Sequence, residues 1–193
     1  MKRLTFLMLM LSLALMLGGT ALAQGDNSVY FVTYFANANT ANAPDATVRA
    51  VNDGDTGSNL YASIYVFDDS EELTECCSCQ ITPDGLLSES VNKNLTANPL
   101  TGLKPTRGVI KLISSSTLVD VTTVPPKGNT PTAGIRAWAT HVQKLTSGFS
   151  VTETPFADSN LAGGEQALLE NLCYYQHLLS GKQCTCTPED ADF

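Results

Sequence analysis

The sequence predicts a mainly β fold, a β-sandwich-like antiparallel domain with one C-terminal α-helix docked by disulfides. Three observations predict it. Short β-branched and aromatic runs recur between turn signals, a single helical period stands near the C-terminus, and six cysteines form two groups.

Residues 1–23 stand apart from that fold. Lys2 and Arg3 precede an almost wholly apolar stretch from Leu4 to Leu17, and Ala21-Leu22-Ala23 offers a signal peptidase the small residues it needs. The stretch falls short of the roughly 20 residues that span a bilayer. The expectation is a signal peptide over 1–23, cleaved before Gln24. The chain is then secreted to the periplasm, cell surface or medium, with no membrane span left after cleavage. Cleavage takes Lys2 and Arg3 from the 11 Lys plus Arg and none of the 19 Asp plus Glu, so the formal charge moves from −8 to −10. That balance opposes nucleic acid and anionic lipid, and multivalent cations are the charged partners it favours.

A β-rich body is expected over 24–162, with a helix and Cys-rich tail over 163–193 packed on the same domain. Val29 to Phe35 reads VYFVTYF, a strand apolar on both faces. It fits either an early core strand or a protruding arm. Ala46 to Val51 is the next strand, and Asn52 to Gly57 is dense in turn residues. Leu60 to Phe67 is the strongest strand. Tyr61, Tyr65 and Phe67 share one of its faces, and Ala62, Ile64 and Val66 share the other. Gln80 to Val91 reads as a hairpin turned at Pro83-Asp84-Gly85. Short strands follow at Val109–Ile113 and Leu118–Val124, then a hairpin from Gly134–Leu145 to Phe149–Thr154. The helix spans Glu165 to Ser180, with Gly181 as its stop. Leu168, Leu172, Tyr175 and Leu179 form its apolar stripe, with Cys173, four residues after Leu169, at the stripe's edge to bond inward, while Gln166, Glu170, Tyr174 and His177 share the polar side.

Cys76, Cys77 and Cys79 form one cysteine group; Cys173, Cys184 and Cys186 form the other. An even count in an exported chain reads as disulfides, and six cysteines allow 15 pairings. Adjacent Cys76 and Cys77 make a strained pair, so bonding across the two groups is the economical arrangement. It would clamp the C-terminal segment to the middle of the chain, and the first such loop of roughly 100 residues is worth about 4.7 kcal/mol. Six soft ligands for zinc or copper are the competing reading, disfavoured by the oxidising compartment and by the absence of CxxC spacing.

Other candidate chemistry is sparse. Asp53 and Asp55 open a calcium-like loop but lack the EF-hand spacing, so the expectation is an Asn-Asp-Gly hairpin turn with solvated acids and no cofactor, with a non-EF calcium site as the alternative. His141 and His177 are the two candidates for a hydrolase, and no GxSxG accompanies them. Trp138 reads as a core anchor before it reads as a sugar platform, and Asn94-Leu95-Thr96 has the glycosylation pattern.

Glu75-Cys76-Cys77-Ser78-Cys79, the Pro83-Asp84-Gly85 turn and Glu170-Asn171-Leu172-Cys173 ahead of a closing CxC together resemble an uncharacterised group of secreted bacterial proteins. The resemblance spans most of residues 45–186. It implies export and paired cysteines, and no activity.

The expected function is therefore a secreted non-enzymatic structural, adhesive or interaction protein of the bacterial envelope or extracellular matrix, with protein partners or self-assembly. Assembly through the N-terminal strand would use Val29, Phe31 and Phe35 to complete a neighbour's sheet. The alternative is a calcium- or carbohydrate-binding secreted module, and a hydrolase comes after both.

Overall fold

A computed structural model describes residues 27–121, 123, 126–182, 184 and 186. The expected signal peptide and the last residues of the acidic tail lie outside them. Among the described residues are nine strands, a π-helical turn (Val91–Leu95) and one long helix: β1 (Tyr30–Ala36), β2 (Thr47–Asn52), β3 (Leu60–Asp68), β4 (Leu73–Ile81), β5 (Leu86–Ser90), β6 (Arg107–Ser115), β7 (Ile135–Lys144), β8 (Phe149–Pro155), β9 (Ala157–Asp158) and α1 (Gly163–Ser180). A five-stranded sheet runs β4-β3-β6-β1-β9 and a four-stranded sheet runs β5-β2-β7-β8, with all strand pairs antiparallel.

The two sheets enclose an apolar core. Strand alternation delivers its side chains: Phe31 and Phe35 from β1, Ala62, Ile64 and Val66 from β3, Ile110 and Leu112 from β6, and Val48 and Ala50 from β2. The opposite face of the five-stranded sheet is covered as well. Tyr30, Tyr65, Cys76 and Ile113 meet Val119 and Val121 of a loop and Leu169 and Cys173 of α1. A sheet buried on both faces needs strands that are apolar on both faces, which is why β1 and β3 read as they do.

Several expectations are corrected. The Pro83-Asp84-Gly85 turn is a corner and not a hairpin, because β4 belongs to the five-stranded sheet while β5 pairs with β2 in the other. Asp84, at φ 61°, takes the left-handed position there. Leu118 and its neighbours form a covering loop in place of a strand, with an isolated bridge from Asp120 to Lys127. The CCxC segment, which carried no strand assignment, is the middle of edge strand β4. Trp138 is half-buried outside the core.

The arm reading of Val29, Phe31 and Phe35 meets an occupied position. β1 pairs with β6 from Tyr30 to Ala36 and with β9 at Phe31 and Val32. Phe31 and Phe35 are buried in the inter-sheet core, and Val29 packs against the second cluster. Within one chain this segment is a core strand.

The disulfides link the two cysteine groups one to one: Cys76–Cys173, Cys77–Cys184 and Cys79–Cys186. The first fastens α1 to the outer face of β4. The other two join Cys77 and Cys79 of β4 to Cys184 and Cys186 in the same order along the chain. The Cys184 N–H donates to Cys76 O at 3.3 Å. The β4 edge, which would otherwise present free backbone groups, is thereby met by Cys184 and Cys186.

Candidate interaction face on the C-terminal helix

α1 sits on the sheet by its polar side. Its buried residues are Leu169, Glu170, Cys173 and Gln176. The Glu170 carboxylate accepts from the Asn129 N–H at 3.0 Å and from Gln166 Nε2 at 2.9 Å. Gln166 Nε2 also donates to Asn129 Oδ1 at 2.8 Å, and Asn129 Nδ2 reaches Ser63 Oγ at 3.3 Å. Gly128 allows the loop to come this close, since a Cβ there would lie 2.6 Å from Glu170 Oε2. Further along the helix, Gln176 Nε2 donates to Glu75 Oε1 at 3.2 Å.

These carboxylates are unusual neighbours for a packing interface. Burial pushes the Glu75 carboxyl up to about 7, against the opposing pull of hydrogen bonds from Cys76, Gln176 and Cys184. Burial, with Glu170 nearby, likewise raises the Tyr65 phenol. At the helix start, Glu165 accepts from Lys111 Nζ at 2.6 Å and from the Tyr30 hydroxyl at 3.0 Å. The Lys111 hydrogen bond holds the Glu165 carboxyl below its ordinary value.

The other side of the helix is open. Leu168, Tyr175, Leu178 and Leu179 are 52%, 56%, 60% and 72% exposed. The predicted stripe of Leu168, Leu172, Tyr175 and Leu179 therefore faces away from the sheet it was expected to cover. Two shallow grooves flank it. One, of about 310 Å³, is lined by Phe67, Val109, Leu168 and Leu172; the other, of about 280 Å³, by Leu73, Leu100, Leu172, Tyr175 and Leu179. Leu172 and Glu71 border both, so the grooves join along the helix.

The remaining candidates are scattered. Asp53 is 3.5 Å from Arg136 Nη2, and its Oδ1 accepts from the Asp55 N–H at 3.2 Å. Asp55 is exposed on the same turn. Among the described residues, the one group of three or more His, Cys, Asp or Glu side chains that converges is Cys77, Cys79 and Cys184, all three of them in disulfides. A disulfide sulfur is not a thiolate and offers no such metal site.

His141 lies buried on β7, with Nε2 2.7 Å from Thr154 Oγ1 and its ring stacked on Tyr34 at 4.3 Å. Burial lowers its pKa. His177 is on α1, across the five-stranded sheet from β7, so the two imidazoles share no site. Asn94 Nδ2 donates to Glu89 Oε2 at 2.7 Å, and Leu95 and Thr96 of the same sequon are buried.

No protein-family model matches the sequence, and no curated protein matches it. Among solved structures, the crystal structure of Thermotoga maritima 1070 is similar over 71% of this chain and 97% of that one, at 14% identity and a TM-score of 0.43. So distant a likeness bears on neither fold nor function. No helix among the described residues is long and apolar enough to cross a membrane.

The outward orientation of the stripe was not expected because an apolar helical stripe ordinarily faces inward. Cys173, expected at the edge of the stripe, is buried instead with Leu169, Glu170 and Gln176 on another side of the helix, so its bond to Cys76 of β4 turns the stripe outward.

Proposed function

We propose that the protein is exported into an oxidising compartment and works there as an interaction protein, docking a protein partner on the open side of α1. Export is supported by the leader-like N-terminus and by three disulfides joining distant parts of the chain. One observation carries the docking. A leucine and tyrosine stripe with heptad spacing is fixed in solvent by a covalent bond behind it. Contiguous exposed apolar surface of this kind marks interaction sites, and a helix face with anchors at these spacings suits another helical segment.

The test is site-specific photo-crosslinking in the source cell. A photoreactive residue at Tyr175 is expected to give a discrete protein adduct, and one at exposed Val151 of β8 is expected to give none. Absence of an adduct from Tyr175, or equal labelling from both positions, removes the reading.

A second reading has one observation of its own. Trp138 lies half-buried on the outer face of the four-stranded sheet, opposite Arg49 and Pro155 in the strand register. An indole on an open sheet face suits carbohydrate stacking. Because it is the sole tryptophan, titration with soluble polysaccharides should change the intrinsic emission. An unchanged spectrum removes this reading.

A further inference from the structure

Resting on the docking reading, the geometry points to a specific partner chemistry: a cationic amphipathic helix of about three turns. Length comes first. From Leu168 to Leu179 the open stripe runs about 16 Å at 1.5 Å per residue, which three to four turns of a second helix would match. The anchor positions follow a 4-3-4 step, the seam of a helix pair.

Charge sets the sign of the partner. Glu71 borders both grooves, and Glu72 and Asp68 border one each. Glu71 and Glu72 are exposed, and neither takes part in an ion pair among the described residues. Glu71 holds φ at 66°, a backbone position that glycine fills at lower cost. What stands there is a carboxylate at the groove mouth. The basic groups nearby are already engaged: Lys111, which lines the first groove, with Glu165, Arg107 with Asp69, and Lys104, which shares a pocket with Asp68 and Glu72, with the Asn92 carbonyl at 3.3 Å. An apolar floor with an unneutralised acidic rim selects Leu-type anchors flanked by Lys or Arg.

The same charges disfavour the other occupants. A second copy would bring its own acidic rim and a formal charge of −10 after leader removal. An anionic bilayer would be repelled for the same reason.

The test uses the leaderless chain with its disulfides intact and three labelled synthetic peptides of about fifteen residues, a length at which isolated helices are marginal but inducible. The first carries Leu at i, i+4, i+7 and i+11 with flanking Lys. The second replaces each Leu by Ser, and the third replaces each Lys by Glu. Fluorescence anisotropy should show the first binding at least about tenfold more tightly than either control, a difference of about 1.4 kcal/mol.

Leu168→Ser with Leu179→Ser should weaken the first peptide at least as much. Glu71→Lys with Glu72→Lys should reverse the ranking of the first and third. Both double variants should melt where the parent does. No binding of the first peptide, equal binding of the Lys and Glu versions, or indifference to both double variants overturns the inference. So does a dimer in sedimentation that Leu168→Ser with Leu179→Ser dissociates. A retained Tyr175 adduct alongside any of these outcomes leaves the docking reading standing and removes the cationic partner alone.

Discussion

The two faces of the five-stranded sheet are held by different physics. Toward the four-stranded sheet, the contact is almost entirely aliphatic and aromatic, with Phe31, Phe35, Ile64, Leu112 and Ile135 at its centre. Toward α1, the contact is a thin apolar patch reinforced by sulfur and buried amides and carboxylates. The first layer would form from hydrophobic burial alone. The second would not: a helix that buries Glu170 and Gln176 while exposing Leu178 and Leu179 has its hydrophobic preference reversed. A covalent bond at Cys173 and the hydrogen bonds of Glu170 and of Gln176 Nε2 fix the orientation that burial opposes, although Gln176 Oε1 is buried without a partner. Stability is given up at this layer, and an open apolar surface is what remains.

The largest expected effect comes from removing the sulfur. In the chain-entropy model the first bridge closes a loop of roughly 100 residues, worth about 4.7 kcal/mol, and each later one closes a much shorter loop worth about 2–3. Full reduction therefore removes an amount comparable with the whole stability of an ordinary domain. Helical circular dichroism should be lost at far lower denaturant in reduced than in oxidised protein. Equal midpoints would show that α1 is held without its bonds.

Next in size is Leu169→Ala, expected to cost about 2–5 kcal/mol because Leu169 is wholly buried under the helix. Urea denaturation with the disulfides intact measures it. A loss under about 1 kcal/mol would mean that the apolar part of this layer contributes little beside the bonds.

The division of labour also explains what could be read from the sequence. β1, β3, β7 and β8 were legible because alternation and turn residues report a buried sheet directly. The helix and its Gly181 stop were legible from period and glycine; Gly181 adopts φ 65° as a left-handed cap should. β4 was not, because three cysteines within four residues read as a cluster and hide a strand whose Cys76 faces one layer and whose Cys77 and Cys79 face the other. Orientation of the helix was not legible either. The hydrophobic stripe gives one answer and the bond at Cys173 another, and only the partner sulfur on β4 decides between them. Glu170 on the polar side gave no sign that it would meet the Asn129 amide.

Third in size is the effect of pH on the helix layer. Glu75 is raised to about 7 in the folded protein from an ordinary value of 4.5. Between those values the native state keeps a proton that the unfolded chain has released, so stability falls as pH rises through the window. The loss is complete above about pH 7 and amounts to about 3 kcal/mol. Glu165, held low by Lys111, acts in the opposite sense and is felt only as pH drops through the acid range below 4.5. Glu75→Gln should flatten the stability profile from pH 4.5 to 7 while leaving the acid limb in place. A parent profile already flat across that window would show that the carboxyl is solvated by opening of the helix layer.

The smallest expected effect is the most informative about the open face. Leu178→Ala and Leu179→Ala each remove a large apolar side chain, yet both should change stability by no more than about 0.5 kcal/mol, as substitutions at exposed positions do. Alanine keeps the helix propensity, so little else is altered. Set beside Leu169→Ala, the pair compares one residue type on two sides of one helix. A loss of 2 kcal/mol or more at Leu179 would mean that the stripe is buried in solution, either by rotation of α1 or by a partner already seated on it. Sedimentation separates those cases, since only a seated partner adds mass. A near-zero change, with unaltered mass, leaves a leucine surface that contributes nothing to the fold and is therefore free to bind.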